Sequence, residues 1–300
     1  MTTCYYSHNT NLTSSISPNC SPGIILLHMV GFLGSTSSSS GGCISLNGAN
    51  QECFLVLCTF HDCYSGGNGG AIYSNGLSTI NMEKCCFFGC SASSVGQALY
   101  LMMKTDSTTY LTQSTFSFCP KKNSGSCRTI EIKDSNIFFE VNNFSRCSPN
   151  TFTLMWLYTA TNNSLSHLHI HQNYCDIIFD FATNKLAGID FTNIVNNTKS
   201  IGSYAFIYDY IHPQQIIFSN TIFMFNIYSS FTTHNGATLS FLDCYFHSSV
   251  SPGTSHSIPT TTHFITLINQ CEAYKEKTLV LRIVSLTFGL YFHLLLCETF

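Results

Sequence analysis

Three histidines alternate in the stretch Ser166-His167-Leu168-His169-Ile170-His171-Gln172. On a strand, His167, His169 and His171 share one face at a spacing of roughly 6.6 to 7 Å. Such His-x-His pairs bind zinc or copper when a further ligand and a supporting outer layer complete the site. Nothing nearby in the sequence supplies either. With Leu168 and Ile170 facing inward, the simpler expectation places the imidazoles on a solvated outer face, with no metal or other cofactor. The sixteen cysteines raise the same question. Cys63, Cys90, Cys119, Cys147 and Cys175 fall in one spaced series that suits core packing, disulfides or metal ligation. Buried thiols behave as small hydrophobes, and bridges between side chains that stack in parallel have an awkward dihedral, so core packing is the expectation.

Polysaccharide hydrolysis needs two carboxyl groups about 5 to 10 Å apart. Glu83, Glu140 and Asp190 recur at one offset but with Thr112 and Leu168 between them, so adjacent repeats never both carry an acid. Asp176 and Asp180 are close in sequence and read as two solvated acids on a turn. Arg128, Glu131, Lys133 and Asp134 form the densest charge cluster, and alternation makes Glu131 and Lys133 an outward pair beside inward Ile130 and Ile132. No catalytic constellation results, and a non-enzyme is expected.

The elements that must position these residues are repeats. Cys53 to Ile72 reads CFLVLCTFHDCYSGGNGGAI, and its Phe60 precedes Gly69-Gly70-Ala71-Ile72 by nine residues. Phe87 precedes Gly96-Gln97-Ala98-Leu99, and Phe32 precedes Gly41-Gly42-Cys43-Ile44, at the same offset. Continuing the register gives anchors at Phe32, Phe60, Phe87, Phe116, Phe144, Gln172, Ile194, Phe223 and Phe246, with steps of 22 to 29 residues. A period of that size without a helical pattern predicts an all-β solenoid in which one coil is one repeat. Two residues before the anchor, small or weakly polar residues recur (Cys58, Cys85, Ser114, Asn142, Thr192, Thr221, Cys244). Three after it stand Cys63, Cys90, Cys119, Cys147, Cys175, Asn197 and Asn226. Five before it runs an apolar series, Leu55, Met82, Leu111, Phe139, Ile189, Phe218 and Phe241, broken by His167 alone. Coils stacked about 4.8 Å apart turn each series into a ladder of like side chains. Glycine, and less often asparagine, is expected at the positive-φ corners.

Phe-x-x-Asn paired with Gly-Gly-Ala-Ile resembles the repeat of the polymorphic membrane proteins of chlamydiae and of Cys-rich surface proteins in trichomonad parasites. Gly69 to Ile72 matches the second element, and Phe223-Met224-Phe225-Asn226 the first. Phe60, Phe87, Phe116 and Phe144 carry Cys63, Cys90, Cys119 and Cys147 in place of the asparagine, and Phe246 continues the series. The resemblance implies a right-handed parallel β-helix, a single-stranded β-solenoid of the pectin-lyase-like kind with about nine coils. It also implies display at a cell surface in adhesion or as an antigen, with host or cell-surface glycans or proteins as partners. A carbohydrate-active β-helix enzyme, a polysaccharide lyase or glycoside hydrolase, is the alternative.

Composition agrees with a scaffold. Charged residues make up only 9% of the chain, net charge is −3, and no dense basic run offers the footprint of a nucleic-acid binder. Residues 1–23 read as an N-terminal cap or remnant of an upstream coil, 24–270 as β-helix, and 271–300 as a terminal strand, a cap or a membrane segment. The apolar run 278–297 is long enough to span a bilayer, but Lys275 and Lys277 precede it, which reverses the expected charge order for an external β-helix. No basic-start signal peptide opens the chain, and the surface or secreted expectation rests on the resemblance. The Asn-x-Ser/Thr triplets beginning at Asn11, Asn143, Asn162 and Asn196 are acceptors for N-glycosylation in a secreted chain.

Overall fold

A computed structural model describes residues 2–7, 11–18, 23–48, 51–120, 128–149, 153–158, 163–182, 187–198, 207–209, 215–227 and 238–247. Residues 248–300, with the 278–297 run, lie outside them. Every element among the described residues is a strand and every strand pairing is parallel, so the chain is an all-β parallel solenoid. Each coil has three segments. A three-residue strand carries the anchor, as in Thr59–His61, Cys86–Phe88, Thr115–Ser117 and Asn143–Ser145. A restart arm follows, as in Ile44–Asn47, Thr153–Tyr158 and Ile177–Ala182. A return arm leads to the next anchor, as in Glu52–Val56, Asn163–Ser166 and Ala187–Asp190. In Ile72–Glu83, Leu99–Thr112 and Arg128–Glu140 the two arms run on as one long strand.

The interior is built from like residues stacked on like. Phe32, Phe60, Phe87, Phe116 and Phe144 form a continuous pile with ring centroids 5.2, 4.7, 4.5 and 5.0 Å apart and planes within 7°. Phe223 and Phe246 repeat the contact at 4.8 Å. Between the two piles the register pairs Phe144 with Ile170 and Ile170 with Ile194. Ile170, not Gln172, is therefore the anchor of its coil, and the steps there are 26 and 24 residues. The correction removes both irregularities of the sequence series. Leu165, not His167, continues the apolar ladder between Phe139 and Ile189, and Asn173, not Cys175, stands three after the anchor.

The corners explain why Cys and Asn exchange freely, while Ser114, Thr192 and Thr221 donate to a carbonyl two residues back in their own coil, each at 3.0 Å. Positive φ occurs three residues before the anchor, at Met29, Leu57, Lys84, Gln113, Val141, His167, Phe191, Asn220 and Asp243, and two after it, at Gly34, Asp62, Gly89, Phe118, Arg146, Gln172, Asn196 and Phe225. These columns are mostly not glycine, contrary to expectation. The left-handed conformation costs an ordinary residue about 1 to 2 kcal/mol, and the next residue along offsets it with hydrogen bonds. At the first corner the Cys58 thiol donates to the Leu27 carbonyl at 3.5 Å, Cys85 to Leu55 at 3.4 Å, Asn142 Nδ2 to Leu111 at 2.7 Å and Cys244 to Phe218 at 3.3 Å. At the second, Cys90, Cys119 and Cys147 donate to the anchor carbonyls of Phe60, Phe87 and Phe116 at 3.4 to 3.7 Å. Asn173, Asn197 and Asn226 do the same to Phe144, Ile170 and Ile194 at 2.7 to 3.0 Å. Glycine is required instead nine residues after the anchor. There Gly41, Gly69 and Gly96 have φ of 79°, 67° and 69°, and a Cβ would strike the carbonyl three residues on.

Asparagine does more than a thiol, because its Oδ1 also accepts. The Asn173 backbone N–H and Nδ2 both donate to Asn197 Oδ1, at 3.0 and 2.9 Å, and Asn197 donates in the same two ways to Asn226 at 3.0 Å. Asn197→Ala should therefore lower the unfolding free energy by on the order of 3 kcal/mol, since several buried groups lose partners at once. Asn197→Cys, which keeps the donor to Ile170, should lose about half as much. Urea titration separates the two; equal losses would show that the donor to the anchor carbonyl is not the shared function of the column.

Candidate functional site

The three histidines do not form one face. His167 sits at a corner with φ of 53° and stacks on Phe191 at 5.2 Å, while His169 and His171 lie in the strand His169–His171 with rings 4.5 Å apart. They are not fully solvated either: His169 is 8% exposed. Among the described residues no three or more His, Cys, Asp or Glu cluster as a metal site would require. Burial, and then the charge of His171, push His169 down to about 4; burial, and then Arg146, do the same for His171.

The cysteine series also divides. Cys63 is bridged to Cys43, twenty residues back and just before the restart arm of the Phe32 coil, so the disulfide joins two successive coils, and Cys90, stacked next to Cys63, is left as a thiol. Cys90, Cys119 and Cys147 are buried thiols, and burial pushes Cys147 up to about 12 and Cys119 well above its ordinary value. A neutral thiol is what the donor role at the corner requires. Cys175 is buried outside that column.

Chemistry concentrates on the outer face of the restart arm. Register places Ser45, Tyr73, Tyr100, Glu131, Trp156 and Asp180 in one row across successive coils. Tyr73 and Tyr100 stack at 5.6 Å. Glu131, 1% exposed, is gripped from both sides, Arg128 Nη1 donating to Oε2 at 2.8 Å and Lys133 Nζ to Oε1 at 3.0 Å. The same cations lie over the Trp156 ring, the Arg128 guanidinium 4.0 Å and the Lys133 ammonium 4.9 Å from its centroid. Lys133 also donates to the Tyr100 hydroxyl at 3.3 Å. Partial burial pulls the Lys133 pKa down, but Glu131 and Tyr100 outweigh it and the net shift is upward. Burial, and then Tyr100, raise the Tyr73 phenol. Tyr73, Trp156, Tyr158 and Lys133 all keep partial exposure, so the row offers aromatic faces framed by fixed charges.

Sequence reasoning found Glu131, Lys133 and Arg128 here but missed Tyr73, Tyr100 and Trp156. Tyr73 and Tyr100 each stand thirteen residues after a phenylalanine anchor, a signal that was available. Trp156 follows a turn of different length, which hid it. Asp176 and Asp180, expected as solvated acids, are 2% and 6% exposed, and Asp180 is a strand residue within Ile177–Ala182. The column of Glu83, Glu140 and Asp190 is interrupted by Thr112 and by Ser166 rather than Leu168. Compared with known proteins, the chain matches no family model, no curated protein and no solved structure. No helix among the described residues is long and apolar enough to cross a membrane.

Burial of His169 makes acid a specific stress. Its pKa is about 4 folded against an ordinary 6.5, so between those values the unfolded chain binds a proton that the native chain refuses. Stability from this group is complete above pH 6.5 and falls as pH drops to 4, by on the order of 3 kcal/mol for the whole shift. Urea midpoints measured from pH 7 to 4 should show this loss, and His169→Asn should remove the His169 share while leaving that of His171.

Proposed function

We propose that this chain is a non-enzymatic β-solenoid scaffold that binds glycans along the outer row of its restart arm. The observation that carries the reading is the line Tyr73, Tyr100 and Trp156, held rigid by Arg128, Glu131 and Lys133. Sugar rings present apolar C–H faces that pack on aromatic rings, while their hydroxyls bond to flanking polar groups. A row with about 4.8 Å between coils suits an extended polymer. Surface or secreted placement, an adhesive or antigenic role, and kinship with the polymorphic-membrane-protein type of β-helix are part of the proposal. They are supported by the Phe-x-x-Cys/Asn and Gly-Gly-Ala-Ile repeat. A right-handed coil of about nine turns belongs to the same reading, since strand connections to a parallel neighbour are right-handed in about 98% of cases.

One observation favours the enzymatic alternative. Glu131 and Asp180 occupy the same row on either side of Trp156, two coils and therefore about 9.6 Å apart along the stack, at the far end of the range for paired hydrolytic carboxyls. Both Glu131 oxygens, however, are taken by Arg128 and Lys133, which leaves none to serve a glycosidic oxygen.

Binding should be measured by affinity electrophoresis through a panel of neutral and acidic polysaccharides. Tyr73→Ala and Trp156→Ala are each expected to weaken retention about tenfold or more, near the 1.4 kcal/mol of one lost ring contact, with circular dichroism unchanged. Sugar release abolished by Asp180→Asn would replace the scaffold reading by the enzymatic one.

A further inference from the structure

We infer that Asn196 is an N-linked glycosylation site whose first sugar packs against the Phe225 ring. The inference rests on the secretory placement proposed above. Of the five Asn-x-Ser/Thr triplets, those with acceptors at 11, 19 and 162 lie outside the residues whose side chains are described. Asn143 is 2% exposed and sits within the strand Asn143–Ser145, paired on one side with Thr115 and on the other with His169. A folded coil has no room for a sugar there.

Asn196 is the opposite case. It occupies the second corner with φ of 55° and an exposed side chain. Its neighbour Asn197 is turned inward and locked by hydrogen bonds to Ile170 and Asn226, so the outward direction of Asn196 is fixed by the ladder. Its backbone N–H donates to the Met224 carbonyl at 2.9 Å, which sets the equivalent corner residue, Phe225, one coil away at about 4.8 Å. Phe225 is 50% exposed, unusual for so large an apolar ring. A saccharide on Asn196 would lay its C–H face over that ring and remove it from water.

The chemistry is a glycosyl transfer from a lipid-diphosphate oligosaccharide. The Asn196 carboxamide nitrogen attacks the anomeric carbon and a C–N bond forms. The C–O bond to phosphate breaks, the lipid diphosphate leaves with the electron pair, and the amide proton passes to a base of the transferase.

The test is secretion of the full chain, with an added signal peptide, from a eukaryotic cell, followed by glycopeptide mass spectrometry after enzymatic deglycosylation in heavy-oxygen water. Folded secreted protein should be labelled at Asn196 and not at Asn143, and both Asn196→Gln and Thr198→Ala should remove the Asn196 label. Deglycosylation should lower the Tm of the parent chain by several degrees and that of Phe225→Ser by less. Folded protein unoccupied at Asn196, or occupied at Asn143, would overturn the site; equal Tm changes would overturn the packing on Phe225. Because the signal peptide is supplied, these results judge the site alone. Occupancy at Asn196 in protein from the source cells judges native secretion separately.

Discussion

A strand carbonyl, hydrogen-bonded by a short corner side chain from the following coil, is the interaction on which this solenoid depends. Strand segments satisfy their own backbone groups by pairing with the coils above and below, but the chain must turn between segments, and there the ladder is interrupted. Where the ladder stops, a side chain that bonds across to a strand carbonyl of the neighbouring coil replaces the missing contact, at about 0.5 to 1.5 kcal/mol for each bond. Cys58, Cys85, Asn142 and Cys244 meet this need before the anchor, and Cys90, Cys119, Cys147, Asn173, Asn197 and Asn226 meet it after. Each reaches back to the coil before its own. The same bonds hold the adjacent residue in the left-handed conformation, which is why Phe118, Val141 or Arg146 can stand where glycine would ordinarily be found.

That constraint fixes length as well as composition. From five residues before the anchor to three after it, spacing is invariant: Leu55 to Cys63, Leu111 to Cys119 and Leu165 to Asn173 are the same nine-residue block. Beyond it the chain is free to vary. Twelve residues lead from Phe60 to Ile72 but nine from Ile170 to Phe179, although Ile72 and Phe179 occupy the same inward column. Insertions are absorbed in the turn after the second corner and in the join between the two arms, as between Met102 and Ser107, so they displace neither the phenylalanine pile nor the corner ladders.

The fold was legible because ladders write themselves into the sequence as recurring residue types. Phe60, Phe87 and Phe116 at near-equal steps, with Cys three residues on, required no structure to recognise. The register slipped only where the signature residue changed. In the coil of Ile170 the phenylalanine is replaced by isoleucine and the cysteine by Asn173, and the nearby Cys175 drew the assignment two residues too far. Physical equivalence of thiol and carboxamide as donors to the anchor carbonyl was the missing rule. The outer row was less legible, because its members come from segments whose lengths differ. Tyr73, Glu131, Trp156 and Asp180 stand thirteen, fifteen, twelve and ten residues after their anchors, and only the pairing of strands brings them into line.

This division bears on function. The parts of each coil that cannot vary, the anchor and both corners, are committed to holding the stack together, and their polar groups are already engaged. Side chains on the outside of the restart arm carry no such duty, since the inward Ile72, Leu99, Ile130 and Met155 of the same strands supply the packing. A buried carboxylate with two cations and an indole is an expensive arrangement to maintain on a face that the fold does not need. Breaking such a charge group is costly, yet replacing it whole by apolar residues is often neutral or stabilising, so stability alone does not account for Glu131, Arg128 and Lys133. Their shared contact with Trp156 does, if the value of the network lies in fixing an aromatic surface. Tyr73, stacked on the buried Tyr100, adds a second exposed ring three coils along the row, on the side of the solenoid where the sequence is least constrained.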